Sequence, residues 1–533
     1  MASLLNRRRP LALVGALVLA ATVTVGGSNA GAAPTTDPDR GSVADWSTVT
    51  GTDGRVYIAD AQGRALQFHG FNVKTSNPAE AVTDKLLAAS AARGMDHLRL
   101  GFYWQDLEPK QGEFDETFLD QLVTVLDRAE KHGILVILDM HQDVYGEAFD
   151  SKGIPAWATR TDGLPFEAQS NWLLSYLQPA VQAAFDHLYE DADLRQAQID
   201  AWLHIVQRVK GHPALLGYDL LNEPFGKQRD GEDILSAAPR VEREQLTPMF
   251  QRLTDAISNV DPDHWVFFEP PNLASLGIAT SLGEVRGPKV AIYPHMYDSA
   301  IEAATYSTDG TIQLDPAFFD KWANAITGYV KKYPMPMLVG EWGLAHPEIK
   351  GMDEFVARTL ETLDRTTSGW SVFVGCFGSG YCTMDEAGQA RPAIGQIFQP
   401  YARAIAGRPI DTRWDGSART LKLRLDGRSS ASGATQIFLD EAGTYPDGYR
   451  VETSDADGTW EHTTVGGILL VTTPRTDGPH AICVKPVSAP RGCSVADDAP
   501  STPTTVPGLN GTPRPAPRPA PARPINSRPT YTG

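Results

Sequence analysis

The chain has 533 residues, 42% of them hydrophobic, with four cysteines and a formal net charge of −18 at pH 7. That length exceeds one small domain and accommodates a large catalytic domain with a smaller companion. The acidic balance speaks against nucleic acid or an anionic membrane as a partner held by charge.

Arg7, Arg8 and Arg9 lead into an apolar run over residues 11–25, and small residues follow up to Ala32. This is the pattern of a cleaved export signal over residues 1–32, because the run is near the lower length limit for a membrane span and its Ala, Gly and Thr content makes it a poor permanent anchor. An exported, extracellular chain permits disulfides, and the local spacings favour Cys376 with Cys382 and Cys483 with Cys493 over the alternative connectivities.

Residues 55–59 and 65–69 flank Gln62-Gly63 and read as a hairpin. From about residue 70 to 380, short apolar runs alternate with stretches of helical period. The runs are 69–73, 97–103, 134–140, 215–221, 265–269, 290–296, 337–341 and 370–377. Helical segments lie between them, such as 79–93 and 118–132, with Gly94 and Gly133 as stop signals. Repeated strand–helix units of this number predict a closed (β/α)₈ TIM barrel over residues 37–406, with the hairpin placed to close its bottom. The alternative, a doubly wound open sheet, lacks a Gly-rich phosphate loop after its first strand.

After residue 407 the pattern becomes that of a small antiparallel β-sandwich, with strict alternation at 420–425 and short strands at 436–439, 450–453, 468–472 and 481–484. Residues 499–533, dominated by Pro, Thr, Ala and Arg, are expected to form an extended, disordered tail.

In such a barrel the C-terminal strand ends form the reaction face, so polar residues there carry most weight. The second run carries Arg99, the third ends His141-Gln142-Asp143, the fourth Asn222-Glu223, the sixth His295-Met296-Tyr297 and the seventh Glu341-Trp342. Glycosidic cleavage requires one carboxylic acid to protonate the leaving oxygen and one carboxylate opposite the anomeric carbon, from different parts of the chain. Glu223 and Glu341 meet that demand. No HExxH, Walker loop or GxSxG is present to support metal or serine chemistry, and no cofactor is expected.

The Asn222-Glu223-Pro224 ending, the His295-Met296-Tyr297 ending and Glu341-Trp342-Gly343 resemble glycoside hydrolase family 5, whose members are retaining enzymes. The resemblance implies that Glu223 is the acid/base and Glu341 the nucleophile. Arg99 is then placed to keep Glu341 ionised, Tyr297 to hydrogen-bond it, Asn222 to hold the sugar 2-hydroxyl, and His141 and His295 to line the subsite of the sugar being cleaved.

Within that family, Phe68-His69-Gly70-Phe71-Asn72-Val73-Lys74, Arg99 to Trp104, Glu108-Pro109 and His141 to Gly146 resemble the endoglycoceramidases, exported enzymes that free an intact glycan from ceramide. The resemblance implies that Lys74, Asp143, Trp172 and Asn222 bind the sugar next to ceramide. The implied partner is a glycosphingolipid at a membrane or micelle surface, met by a monomer. Ile154 to Trp157 and Leu273 to Ile278 are candidates for an apolar slot that takes acyl chains.

The family usually places a Trp platform after the eighth strand, whereas here Trp370 opens that run and Phe377 and Tyr381 follow it. This departure leaves a galactose-first glycolipid open. Rival expectations are a family 5 glucanase acting on soluble β-glycans, a single-sugar glycosylceramidase, and a carbohydrate-binding surface protein without catalysis.

Overall fold

A computed structural model of the chain describes residues 40–496, apart from 170, 303–304 and 428–429. The expected export signal and Pro-rich tail lie outside the described residues. None of the helices among the described residues is long and apolar enough to cross a membrane.

The predicted apolar runs all form parallel strands: β1 (Phe68–Lys74), β2 (His97–Phe102), β3 (Leu135–Met140), β4 (Leu215–Asp219), β5 (Trp265–Phe268), β6 (Val290–Ile292 and His295–Met296), β7 (Val339–Gly343) and β8 (Gly369–Phe373). Their order closes on itself. The two pieces of β6 stand at opposite ends of the hydrogen-bonded series, the first beside β5 and the second beside β7. The break falls at Tyr293-Pro294, where proline has no N–H to give the ladder. The resulting closed barrel sets His295 opposite Glu341.

The crossover helix Glu116–Lys131 shows why these segments fold as they do. Asp115 caps it by accepting from the N–H groups of Thr117 and Phe118. Phe118, Leu119, Leu122, Val125, Leu126 and Ala129 form its buried stripe. Gly133, at φ 66°, ends it in the left-handed region. The helix expected at 79–93 is instead two pieces, Pro78–Ala81 and Asp84–Ala91, because the Thr83 side chain accepts from Leu86 N–H and starts a new helix.

The C-terminal strands form a sandwich of two antiparallel sheets. One contains Arg408–Asp415, Thr420–Asp426, Pro479–Pro486 and Tyr449–Thr453. The other contains Tyr401–Ile405, Thr435–Phe438, Ile468–Thr472 and Glu461–Val465, and it is completed by N-terminal strands Ser47–Thr50, Val56–Ala59 and Ala65–Leu66. The N-terminal hairpin therefore serves two layers. It does cover the barrel's base, where Trp46, Ile58 and Leu66 pack with Phe68, Leu216 and Trp265. Its backbone, however, pairs with Tyr401–Ile405, and Tyr57 and Ala65 belong to the sandwich core with Leu423, Ile437 and Ile482. A boundary at 406/407 would fall beside this sheet and leave both its N-terminal strands and Tyr401–Ile405 on the barrel's side.

Cys376 is bonded to Cys382 and Cys483 to Cys493, as the spacings predict. The first pair closes a loop directly after β8; the second ties strand Pro479–Pro486 to the segment C-terminal to it.

Candidate active site

Arg99, on β2 and 1% exposed, organises the C-terminal face of the barrel. Its guanidinium donates to Asp219 Oδ2 at 2.9 Å, Glu269 Oε1 at 2.6 Å, Asn222 Oδ1 at 3.0 Å, Asn72 Oδ1 at 3.1 Å and Glu341 Oε2 at 3.2 Å. Asp139 Oδ1 lies 3.1 Å away. Only a planar fork with several fixed N–H groups can serve partners on β1, β3, β4, β5 and β7 together. Burial opposes the Arg99 charge, but Asp139, Glu269, Asp219 and Glu341 outweigh it and hold the guanidinium firmly protonated. Asp139, Asp219 and Glu269 bring ligand atoms within 4.8 Å of one another, as a metal site would. Here Arg99 supplies the positive charge.

One guanidinium does not neutralise so many buried carboxylates. Burial and the neighbouring Glu269 push Asp219 well up. Glu269 goes the other way, down to about 2, because His295 and Arg99 overcome its burial.

Glu341, on β7 and 9% exposed, receives a second donor at its other oxygen, the Tyr297 hydroxyl at 2.7 Å. Burial and the Glu341 charge push the Tyr297 hydroxyl well above its usual range, keeping it a proton donor. Each carboxylate oxygen of Glu341 thus has its own donor.

Glu223, 7% exposed, follows β4 in the left-handed region at φ 40°, a costly backbone state for a residue with a side chain. Neighbours hold it there. Gln142 Nε2 donates to the Asn222 and Glu223 carbonyls at 3.0 and 2.9 Å, and Glu223 N–H donates to Glu269 Oε2 at 2.8 Å. The Glu223 carboxyl meets His295 Nδ1 at 2.9 Å and Asn272 Nδ2 at 2.8 Å. Burial raises Glu223, His295 pulls it back, and Glu341 and Glu269 add to the rise. The geometry thus gives two carboxyl groups of different character, one raised by its surroundings and one fixed between two donors.

Lys74, at the end of β1, donates to Asp143 Oδ2 at 2.7 Å. Burial opposes both charges, yet each holds the other, with Lys74 raised and Asp143 lowered. His141 bonds Asp139 Oδ2 at 2.7 Å and lies 3.8 Å from Asp143 Oδ2 through its other nitrogen. Gly101 makes this meeting possible, since a Cβ there would stand 2.9 Å from Lys74 Cβ and 3.1 Å from Asp139 Oδ2.

His295 is buried between Glu223 and Glu269. Asn222 has its carbonyl oxygen bonded to Arg99, while its amide donates to Gln142 O at 3.1 Å. Trp172 is 48% exposed on the short helix Trp172–Leu177, with its ring near Tyr176. Tyr176 links this helix to the site by donating to Gln142 Oε1 at 3.3 Å. Of the two apolar segments, Ile154 and Trp157 are packed against the barrel and Trp157 donates to Glu108 O. Leu273 instead lines an apolar cleft with Phe225, Ile234, Val241 and Pro271.

Phe373 is an aromatic that strand-end chemistry alone does not single out. It ends β8 with Lys74 Nζ 5.4 Å from its ring centre and Tyr381 edge-on at 5.3 Å. Phe377 points elsewhere, to Lys85. Asp139, Asp219, Glu269 and Asn272 are further members of the site that the sequence pattern did not pick out. A charged residue inside or just after an otherwise apolar run was the available signal for the first three.

Residues 59–374 match the Cellulase family (glycosyl hydrolase family 5), and residues 399–484 match the glycoside hydrolase family 5 C-terminal domain. The chain is similar to endoglycoceramidase I of Rhodococcus hoagii (strain 103S), 28% identical over 449 residues, covering 80% of this chain and 86% of that protein. It is 25% identical to an endoglycoceramidase of Hydra vulgaris over 437 residues, covering 74% and 81%. The structure of endo-glycoceramidase II from Rhodococcus sp. in complex with ganglioside GM3 superposes with a TM-score of 0.71 at 28% identity, covering 81% of this chain and all of that one. Sequence, barrel and C-terminal sandwich agree, and the chain belongs to glycosyl hydrolase family 5.

Proposed function

We propose that this glycoside hydrolase cleaves the β-glycosidic bond between an oligosaccharide and ceramide, releasing both intact, by a retaining mechanism. The observation that carries the chemistry is the contrast between Glu223, raised chiefly by burial, and Glu341, held by Arg99 and Tyr297. Glu223 donates its proton to the leaving oxygen while Glu341 attacks the anomeric carbon. Glu223, now a carboxylate, then takes a proton from the water that releases the glycan.

Lys74, Asp143 and His141 form the polar wall proposed for the sugar, with Phe373 as its aromatic floor. For the lipid side, support comes from the apolar cleft of Phe225, Ile234, Val241, Pro271 and Leu273. Its residues flank Glu223 and Asn272 in the chain. The names of the relatives point to the same substrate class. The disulfides suit an exported protein, and we infer that it acts outside the cell.

Incubation with a panel of glycosphingolipids, detecting ceramide and intact oligosaccharide, tests the substrate. Turnover of a soluble β-glucan with no ceramide released from any member would refute the lipid reading.

A further inference from the structure

Two loops meet across the mouth of the barrel beside the strand that carries Glu341. The segment after β6 runs from Tyr297 into the one-turn helix Ser299–Glu302. The segment after β8 is closed by Cys376–Cys382 and folds back on the strand end, with Val374 N–H donating to Tyr381 O and Gly375 N–H to Asn72 O. Arg391 braces this loop by donating to the Gly380 and Cys382 carbonyls and pairing with Glu348. Tyr381 joins the two segments, its hydroxyl donating to Glu302 Oε2 at 2.6 Å and its ring resting on Phe373.

Glu302 is open to solvent, yet its carboxyl is pushed up to about 7, first by the protein around it and further by repulsion from Glu341 and Glu223. Its partner Tyr381 packs against Phe373, whose ring lies 5.4 Å from Lys74 Nζ, and this chain of contacts sets the Glu302 carboxyl beside the site. Cleavage of the glycosidic bond uses two carboxyl groups, which leaves this one no part in breaking it. A carboxylate held at that position by a tyrosine hydroxyl is an acceptor for substrate O–H or N–H groups.

We propose that Glu302 is a substrate-selecting residue. It accepts a hydrogen bond from a hydroxyl or amide N–H near the bond being cut, and Tyr381 and the Cys376–Cys382 loop position it. The inference rests on the glycolipid-hydrolase reading of the site.

The full chain and its Glu302→Ala, Glu302→Gln and Tyr381→Phe variants are assayed on a glycosphingolipid and on the aryl glycoside of the same glycan, with thermal unfolding recorded for each. In Glu302→Ala, KM should rise about ten-fold or more with kcat little changed, the scale of one charged hydrogen bond. Tyr381→Phe should raise KM less, and Glu302→Gln, whose amide oxygen still accepts, should recover part of the loss. A rise on both substrates places the bonded group in the glycan; a rise on the glycolipid alone places it in ceramide. Unchanged KM in Glu302→Ala on both substrates, or a loss confined to kcat, overturns the proposal. Wild-type protein that cleaves the aryl glycoside but releases no ceramide would instead refute the lipid substrate, and KM on the aryl glycoside would still decide the role of Glu302.

Discussion

His295 holds Glu223 through one ring nitrogen, 2.9 Å from Oε1, while its other nitrogen lies 3.1 Å from Glu269 Oε1. Burial opposes a charge on this imidazole, but Glu269 and Glu223 together raise it well above the ordinary histidine range. The cation in turn limits how far burial raises Glu223. Glu269 also accepts from the Glu223 backbone N–H, so the same pair fixes both the charge and the position of the candidate acid.

The basic limb of the pH–activity profile reports on this pair. An acid that must be protonated loses activity as pH rises through its own pKa, so the limb belongs to Glu223. His295→Asn removes the charge that pulls Glu223 down, and the limb in kcat/KM should move to higher pH by about one unit, with a lower maximum. A limb that stays in place, or moves to lower pH, would remove His295 as its controlling neighbour.

Arg99→Lys keeps a positive charge and loses the fork. Several of Asp139, Asp219, Asn222, Glu269 and Glu341 must then give up their bond, because an ammonium offers fewer donors in a different geometry. The expected result is a loss of about 3 kcal/mol or more in denaturant unfolding and at least a hundred-fold fall in kcat, on the scale of breaking a buried ion pair.

Phe373→Ala should raise KM about ten-fold while leaving the profile's pH limbs in place, since it removes the apolar surface under Lys74 and touches neither Glu223 nor Glu341. Steady-state kinetics on an aryl glycoside separate this from a fault in the acid/base pair. Phe373→Trp should recover activity better than Ala if the position is a sugar platform.

A fragment ending at residue 406 should not yield a folded barrel. It would keep Ser47–Thr50, Val56–Ala59, Ala65–Leu66 and Tyr401–Ile405 but lose the other three strands of their sheet and the whole facing sheet, exposing Tyr57, Ala65, Ala402 and Ile405 to water. Cooperative unfolding of the full chain in a single calorimetric transition, with insolubility of the fragment, is the expected pair of outcomes. A soluble, active fragment would show that the sandwich is dispensable.

Much of this was legible in the chain itself. The strands of the barrel are apolar runs broken by glycine-stopped helices, a pattern local to each segment, so all of them could be located. Both disulfides join cysteines close in sequence, where few pairings compete. Glu223 and Glu341 stood out because a carboxylate at the end of a buried strand requires a reason.

What only the tertiary structure decided depends on closure of the barrel. Arg99 meets residues on β1, β3, β4, β5 and β7 only once register and curvature are set, and no local pattern records which side chains will then face it. The broken β6 turns His295 toward Glu223, and pairing between residues more than three hundred positions apart carries the N-terminal hairpin into the sandwich. Phe373, an ordinary apolar strand residue in sequence, becomes part of the site because Lys74 and Tyr381 converge on it from either side. Periodicity and strand-end chemistry are properties of a short stretch of chain; the partner of each charge is a property of the closed barrel.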